Sequence, residues 1–105
     1  VAVPDFDALL SVYKKTNDLS KILGPLYGAM EIPTETGVIN LYHKTAYNFD
    51  SLKEVLVSAG FGSVERYRWQ DTVHRDYDDH SQAYYPHMDK EDGILVSLNM
   101  ECKKL

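Results

Sequence analysis

Cysteine is almost absent from this 105-residue chain, which contains only Cys102. A single thiol cannot form an internal disulfide, and chains without disulfides are typical of reducing compartments, so we expect a cytoplasmic location. Long apolar runs are also missing, since no stretch approaches the roughly 20 residues that span a bilayer. We therefore expect no membrane-spanning helix, and we interpret Cys102 as a small apolar core residue and not as a nucleophile.

Basic residues are too few to suggest nucleic-acid binding. The formal net charge is −5 at pH 7. This excess of acid lies entirely in segment 71–92, which has two bases, Arg75 and Lys90, against Asp71, Asp76, Asp78, Asp79, Asp89, Glu91 and Asp92. An acidic chain lacks the positive surface that a phosphate backbone requires, so we expect no nucleic-acid partner.

The first half of the chain predicts a strand end, two helices and a loop. Residues 1–3 are typical of the end of a buried strand, and Asp5 is a suitable cap for a following helix. Apolar residues at positions 6, 9, 10 and 13 predict an amphipathic helix over 6–16. A second apolar stripe predicts a helix over about 18–27, and Gly28 is a suitable stop. Residues 29–48 show no clear period and are interpreted as a long loop, either a surface excursion or a substrate lid.

The second half predicts one more helix and two strands. Ser51 with Glu54 forms a capping-box pattern, and an apolar face followed by Gly60 predicts a helix over 51–60. Residues 63–70 are rich in strand-forming side chains, and residues 93–103 alternate with a period of two. These two segments are expected to pair as antiparallel strands, separated by the acidic loop 71–92.

These elements are too few to close a sheet. A strand stub and a two-stranded ribbon leave apolar helix faces without cover, and a two-stranded ribbon alone is marginally stable. We therefore interpret residues 1–105 as a single partial domain of α/β class. The uncovered apolar faces and free strand edges predict that the chain associates as a homo-oligomer, with a dimer as the simplest solution.

The order of elements resembles the carboxy-terminal half of class I S-adenosylmethionine-dependent methyltransferases. The resemblance rests on four segments: VAVPDF at 1–6, YHKTAYNFDSLKEVLVSAGF at 42–61, VERYRW at 64–69 and GILVSLNMECKK at 93–104. The shorter pieces PDFDAL, LGPLYG, DDHSQAYYPHMD and VSLN are similar to those of a bacterial methyltransferase group. The resemblance implies a partial Rossmann-like fold. It contains the end of the fifth strand, a helical insertion, the last crossover helix, and antiparallel sixth and seventh strands.

The cofactor signature of that family is missing from this chain. The family places a glycine-rich turn after its first strand, where backbone amides approach the cofactor closely. The six glycines here form no such turn, and the spacing at Gly60 and Gly62 follows a helix and not a strand. The resemblance therefore implies S-adenosylmethionine as the cofactor of a longer protein, with no cofactor-binding residue and no cofactor expected in this chain alone.

Candidate chemistry is concentrated in loop 71–92 and at one residue outside it. The loop candidates are His74, Asp78, Asp79, His80, Tyr84, Tyr85 and His87. Imidazoles and carboxylates could bind a divalent metal, but the spacing matches no metal motif, and we predict no metal ligand. A histidine held by a carboxylate could instead accept a proton from a substrate. The structural alternative is a solvated loop whose polar residues shape turns.

His43 is the remaining candidate. It precedes the helix over 51–60, and in an assembled domain it would approach the carboxyl edge of the sheet, where open α/β folds bind ligands. It could line a substrate pocket or make a local structural hydrogen bond. The resemblance implies that the chain is the substrate-side portion of a methyltransferase and is inactive alone. The alternative is a non-enzymatic α/β module for oligomerisation or partner binding.

Overall fold

The computed structural model describes residues 1–28, 30–77 and 79–105. Within these ranges the protein is a mixed α/β structure with three α-helices and antiparallel strand pairs. The helices are α1 (Phe6–Thr16), α2 (Ser20–Tyr27) and α3 (Phe49–Ser58). The strands are β1 (Ala2–Pro4), β2 (Met30–Thr34), β3 (Gly37–Leu41), β4 (Phe61–Arg66), β5 (Tyr84–Tyr85), β6 (Ile94–Leu95) and β7 (Ser97–Lys104). None of the helices in these ranges is long and apolar enough to cross a membrane.

The helices begin where side chains can satisfy free backbone N–H groups. Asp5 caps α1 by accepting from the backbone N–H of Asp7 at 3.1 Å, as predicted. Helix α3 starts earlier than predicted, because Asn48 and not Ser51 is its cap. The side chain of Asn48 accepts from the Ser51 N–H, and the Ser51 hydroxyl accepts from the Asn48 N–H, each at 3.0 Å. This reciprocal pair is a capping box, so the predicted box of Ser51 with Glu54 is wrong.

The central sheet has three strands in the order β1-β7-β4. Strand β7 runs antiparallel to both neighbours, so β1 and β4 run parallel to each other, and α3 lies between them in the chain. The predicted pairing of the last two long strands is confirmed. The predicted two-stranded ribbon is wrong, because the segment at residues 1–3 joins it as a third strand.

Two strand boundaries differ from the sequence-based expectation. Strand β4 starts two residues earlier than predicted and carries an irregularity between Gly62 and Glu65, where Ser63 has a φ of 51°. The predicted strand over 93–103 is interrupted at Val96, so that Ile94–Leu95 pairs with Tyr84–Tyr85 and the rest forms β7. The acidic segment is otherwise irregular, with short 3-10 turns.

The predicted loop over 29–48 is wrong for most of its length. Strands β2 and β3 form an antiparallel hairpin in which Thr34 pairs with Gly37. The Thr34 hydroxyl donates to the Gly37 carbonyl at 2.9 Å and closes the turn. Both strands of an isolated hairpin are edges, where Pro33 is tolerated. All of β3 is exposed, and Ala29 lies outside the described residues.

Two apolar clusters hold the helices against the extended segment around β7. The first contains Leu9, Val12, Ile22 and Val96, and the second contains Leu52, Val64, Leu98 and Met100. Cys102 packs against the second cluster, in line with its predicted apolar role. Ser97 and Asn99, which alternate with these apolar residues, are buried polar side chains. Asn99 Nδ2 donates to the Ser81 carbonyl at 2.8 Å and ties the acidic segment to β7.

Candidate functional site

A cavity of about 370 Å³ extends along β1 to its carboxyl end. There Pro4 pairs with Ser97, and both residues line the cavity. The remaining walls come from α2, from the chain just before α3 and from the acidic segment. They include Pro25, His43 and His80. Two of the predicted site residues, distant in sequence, therefore meet at one cavity.

His43 is held at this cavity by the end of α2. Its backbone N–H donates to the Tyr27 carbonyl at 2.6 Å, and its ring Nδ1 lies 3.0 Å from the Leu26 carbonyl oxygen. A carbonyl can only accept, so Nδ1 carries a proton in this contact, and in the neutral ring Nε2 is the nitrogen with the lone pair. Nε2 makes no hydrogen bond within the part of the chain that the structure describes. Both sequence alternatives therefore apply, because His43 makes a local hydrogen bond and lines a pocket.

His80 reaches the same cavity from the acidic segment. It begins the 3-10 turn His80–Gln82, which Asp79 caps by accepting from the Ser81 N–H at 2.9 Å. Ser81 is buried, whereas the His80 residue is exposed. The turn fixes the His80 backbone, and His80 is one of the residues that line the cavity.

His74 and Asp79 form a separate pair at a second cleft. His74 Nδ1 donates to Asp79 Oδ2 at 2.6 Å, and the Tyr67 ring stacks on the imidazole with centroids 5.6 Å apart. The cleft has a volume of about 420 Å³ and is lined by Val1, Tyr67 and His74 among others. It shares no lining residue with the first cavity and lies at the amino end of β1. The candidate residues of the acidic segment are thus divided between two clefts.

Hydrogen bonds stabilise the charged form of Asp79. The Ser81 hydroxyl donates to Asp79 Oδ1 at 2.5 Å, and this contact, followed by the His74 contact, lowers the pKa of Asp79 to about 2. Burial raises the pKa of Tyr67, and the carboxylates of Asp79 and Glu101 raise it further. Asp79 is therefore ionised at neutral pH and serves as the fixed acceptor of this cluster.

The remaining candidates are dispersed. The Tyr84 hydroxyl accepts from Trp69 Nε1 at 3.1 Å, and Tyr85 packs against the first apolar cluster. His87 is exposed and makes no hydrogen bond or ion pair with any described residue. Asp78 lies outside the described residues. Tyr84 and Tyr85 therefore have structural contacts. None of Tyr84, Tyr85 and His87 lines the cavity of His43.

The described residues form no metal-binding cluster, and the cavity of His43 lacks the groups that would hold the cofactor. No group of three or more His, Cys, Asp or Glu side chains in the described ranges could hold a metal ion. The cavity of His43 has no lining carboxylate that could take ribose hydroxyls. The space beside Gly62 is filled by the side chain of Leu105, because a Cβ at Gly62 would lie 2.8 Å from Leu105 Cδ2. This glycine therefore makes room for Leu105 and not for a cofactor. The residues that line this cavity therefore do not fit S-adenosylmethionine.

Two contributors to the site region escaped sequence reasoning. Arg66 Nη1 lies 3.3 Å from Asp5 Oδ2, and the same guanidinium lies over the Phe49 ring at 5.1 Å. These contacts fix the start of α1 and the start of α3 beside the end of β4. Gly28 was recognised only as a helix stop, although its position also decides where the His43 ring lies. Neither contact has a local sequence signal, because the partners are far apart in the chain.

Comparison of the chain with protein-family models, with curated proteins and with solved structures finds no match. Function is therefore argued from the residues and the geometry described above.

Proposed function

We propose that this chain is the carboxy-terminal, substrate-side part of an S-adenosylmethionine-dependent methyltransferase whose cofactor turn lies outside it. One observation carries the proposal. Strands β1 and β4 run parallel on either side of a reversed β7, and α3 lies between them in the chain. This arrangement agrees with the fifth strand, crossover helix, sixth strand and reversed seventh strand that the resemblance implies.

The cavity of His43 and His80 supports a substrate-side role. It opens at the carboxyl end of β1, and ligands of open α/β sheets bind outside the carboxyl ends of their strands. Its volume of about 370 Å³ is in the range of small-molecule sites. We assign this cavity to the methyl acceptor. Because the described residues offer no cofactor seat, the chain alone is expected to be inactive.

Turnover of histidine variants tests the assignment. In the protein translated from the complete reading frame that contains this chain, methyl transfer from labelled S-adenosylmethionine is measured for His80→Ala and His87→Ala. The first should lower turnover because His80 lines the cavity, whereas the second should not, because His87 is exposed and outside it. Equal turnover of both variants and the parent protein would remove the acidic segment from the acceptor site.

A non-enzymatic association module remains the second candidate, and the outer edge of β1 favours it. Val1 and Met100 exchange backbone hydrogen bonds, and the Asp5 N–H donates to Val96, so residues 1, 3 and 5 face β7. The alternating pattern of an antiparallel ladder then turns the polar backbone groups of Ala2 outward. No described residue pairs with them. An unpaired edge of this kind can accept a strand from a second copy.

Sedimentation velocity of the chain and of Ala2→Pro tests this candidate. Proline removes the outward N–H of Ala2 while keeping the ladder bonds to β7, so a dimer that pairs at this edge should dissociate. A dimer that survives the substitution uses another surface. A cooperatively folding monomer would exclude self-association as the function of this chain.

A further inference from the structure

The imidazole of His43 packs directly against Gly28, the glycine that ends α2, and leaves no room for a Cβ there. Gly28 has a φ of 55°, and a Cβ built on it would lie 2.5 Å from His43 Cε1 and 2.9 Å from Nε2. Real Cβ atoms do not make contacts this short, so any other residue would displace the ring. The left-handed helix end and the seat of the imidazole therefore require glycine for two independent reasons.

The seat also selects one tautomer of the ring. The Leu26 carbonyl, one of the last in α2, accepts a hydrogen bond from Nδ1–H, with the nitrogen and oxygen 3.0 Å apart. Carbonyls in the last turn of a helix lack helical partners, so this oxygen is a strong and available acceptor. When the ring is neutral, Nε2 is left with its lone pair free, which is the state of a general base.

The walls that this chain gives to the cavity contain no fixed charge. Besides the two imidazoles and Ser97, the lining is built from alanine, valine, proline and glycine, and includes no Lys, Arg, Asp or Glu. While both imidazoles are neutral, an anionic carboxylate or phosphate would lack a cation here, and a ligand ammonium would lack a carboxylate. An uncharged group that can give up a proton is the ligand chemistry that these walls accommodate.

We infer that His43, held by Gly28 and the Leu26 carbonyl, accepts a proton at Nε2 from an uncharged O–H or N–H group of the methyl acceptor. The O–H or N–H bond breaks, the proton passes to Nε2, and the electron pair stays on the acceptor atom as its nucleophilic lone pair. Gly28 is then a positioning residue. This inference rests on the proposed function only for the identity of the ligand as a methyl acceptor.

The tautomer of His43 can be measured by NMR without an assay of enzyme activity. In 15N-labelled protein at a pH of about 9, above the ordinary titration range of histidine, couplings to ring nitrogens report the tautomer of His43. We expect Nδ1–H in the parent protein and a loss of this preference in Gly28→Ala. Gly60→Ala is the matched control, since Gly60 also has a positive φ, of 95°, but has open space around it. An Nε2–H ring in the parent, or equal spectra for the two variants, would overturn the inference.

The ligand class is tested with three probes that share one aromatic body. Phenol is uncharged at neutral pH, benzoate is an anion, and benzylammonium is a cation. Phenol should shift the amide signals of Gly24 and Ala83, which line the cavity, with a dissociation constant on the order of 1 mM. The two ions should bind there at least about tenfold more weakly. An ion that binds the cavity as tightly as phenol would contradict the assigned class.

Kinetics separate failure of the inference from failure of the proposed function. In a methyl-transferring protein, His43→Gln should lower kcat by roughly 10²–10⁴-fold, the usual contribution of a general base, and leave KM for the methyl donor unchanged. An unchanged kcat would remove His43 as the base. If no methyl transfer occurs while the tautomer and phenol results hold, the proposed function fails and the base site remains.

Discussion

His43 and His74 each donate from Nδ1 to an oxygen, but the two oxygens belong to different parts of the fold. The acceptor of His43 is a carbonyl at the end of α2, and the free side of the ring lies at a cavity. The acceptor of His74 is Asp79, which also bonds Ser81 twice. The Ser81 carbonyl in turn accepts from Asn99 on β7. His74 is therefore part of a chain of hydrogen bonds that anchors the acidic segment.

A histidine beside a carboxylate is therefore not by itself the better candidate for catalysis. The carboxylate of Asp79 is already committed to capping a turn and to a buried serine. The carbonyl beside His43 fixes a tautomer while leaving the surrounding walls uncharged. We accordingly assign structure to the His74 side and chemistry to the His43 side, and the following changes test that division.

The largest loss of stability is expected in β7, because the regions of His43 and His74 both pack against this strand. Leu98 of β7 is fully buried, at 0% exposure, and packs in the cluster that contains Leu52 of α3 and Val64 of β4. Leu98→Ala should lower the free energy of unfolding by about 2–5 kcal/mol, since it removes apolar contacts and leaves a cavity. Urea unfolding measures the change. Val57→Ala, at a residue that is 51% exposed, is the control, with an expected change within about 0.5 kcal/mol. A similar loss for both variants would show that β7 is not the shared framework.

A smaller effect should separate the two histidine regions. Asp79→Ala removes the cap of the 3-10 turn and the partner of His74, and helix caps contribute about 0.5–2 kcal/mol. His43→Ala removes an exposed ring and one hydrogen bond, so its cost should be smaller than that of Asp79→Ala. Urea unfolding of the two variants at pH 7 gives both values. A larger loss for His43→Ala would invert the proposed division between structure and chemistry.

The pH dependence of the Asp79 contribution provides a finer test. The folded pKa of Asp79, about 2, lies below the value of about 3.9 for an unperturbed aspartate. Its stabilising contribution is therefore complete above the unfolded value and is lost as the pH falls through about 2. The stability difference between the parent protein and Asp79→Asn should be constant from pH 7 to about 5 and shrink toward pH 2. A difference that stays constant down to pH 2 would contradict the hydrogen bonds as its cause.

Elements with a regular apolar period could be predicted from the sequence, whereas contacts between distant segments could not. The 3.6-residue period of α1 and the alternation around β7 gave the correct elements. The hairpin of β2 and β3 was missed because the side chains of β3 are all exposed and follow no burial pattern, although Gly37 and the flanking β-branched residues are a usable turn signal. The Val96 interruption also has no local cause, since the Ala83 carbonyl and the Asp5 N–H bond there from elsewhere in the chain.

The residues of the candidate site could be predicted from the sequence, but their arrangement could not. His43 and His80 were named from composition and position, but their meeting at one cavity depends on the path of α2 and of the acidic segment. The bond from His43 to the Leu26 carbonyl spans 17 residues, and the seat at Gly28 depends on a left-handed backbone that the sequence suggested only as a helix stop. The pair of His74 and Asp79 is local, five residues apart, and therefore closer to what sequence reasoning can reach.

Calorimetric titration with S-adenosylmethionine decides whether the cofactor turn lies outside this chain. We predict negligible binding to the 105-residue chain, because the cavity of His43 lacks the groups that would hold the cofactor. We predict binding to the protein translated from the complete reading frame that contains the chain, with a dissociation constant on the order of 1 μM, about −8 kcal/mol. Micromolar binding to the chain alone would contradict the proposed function, as would the absence of binding to the longer protein.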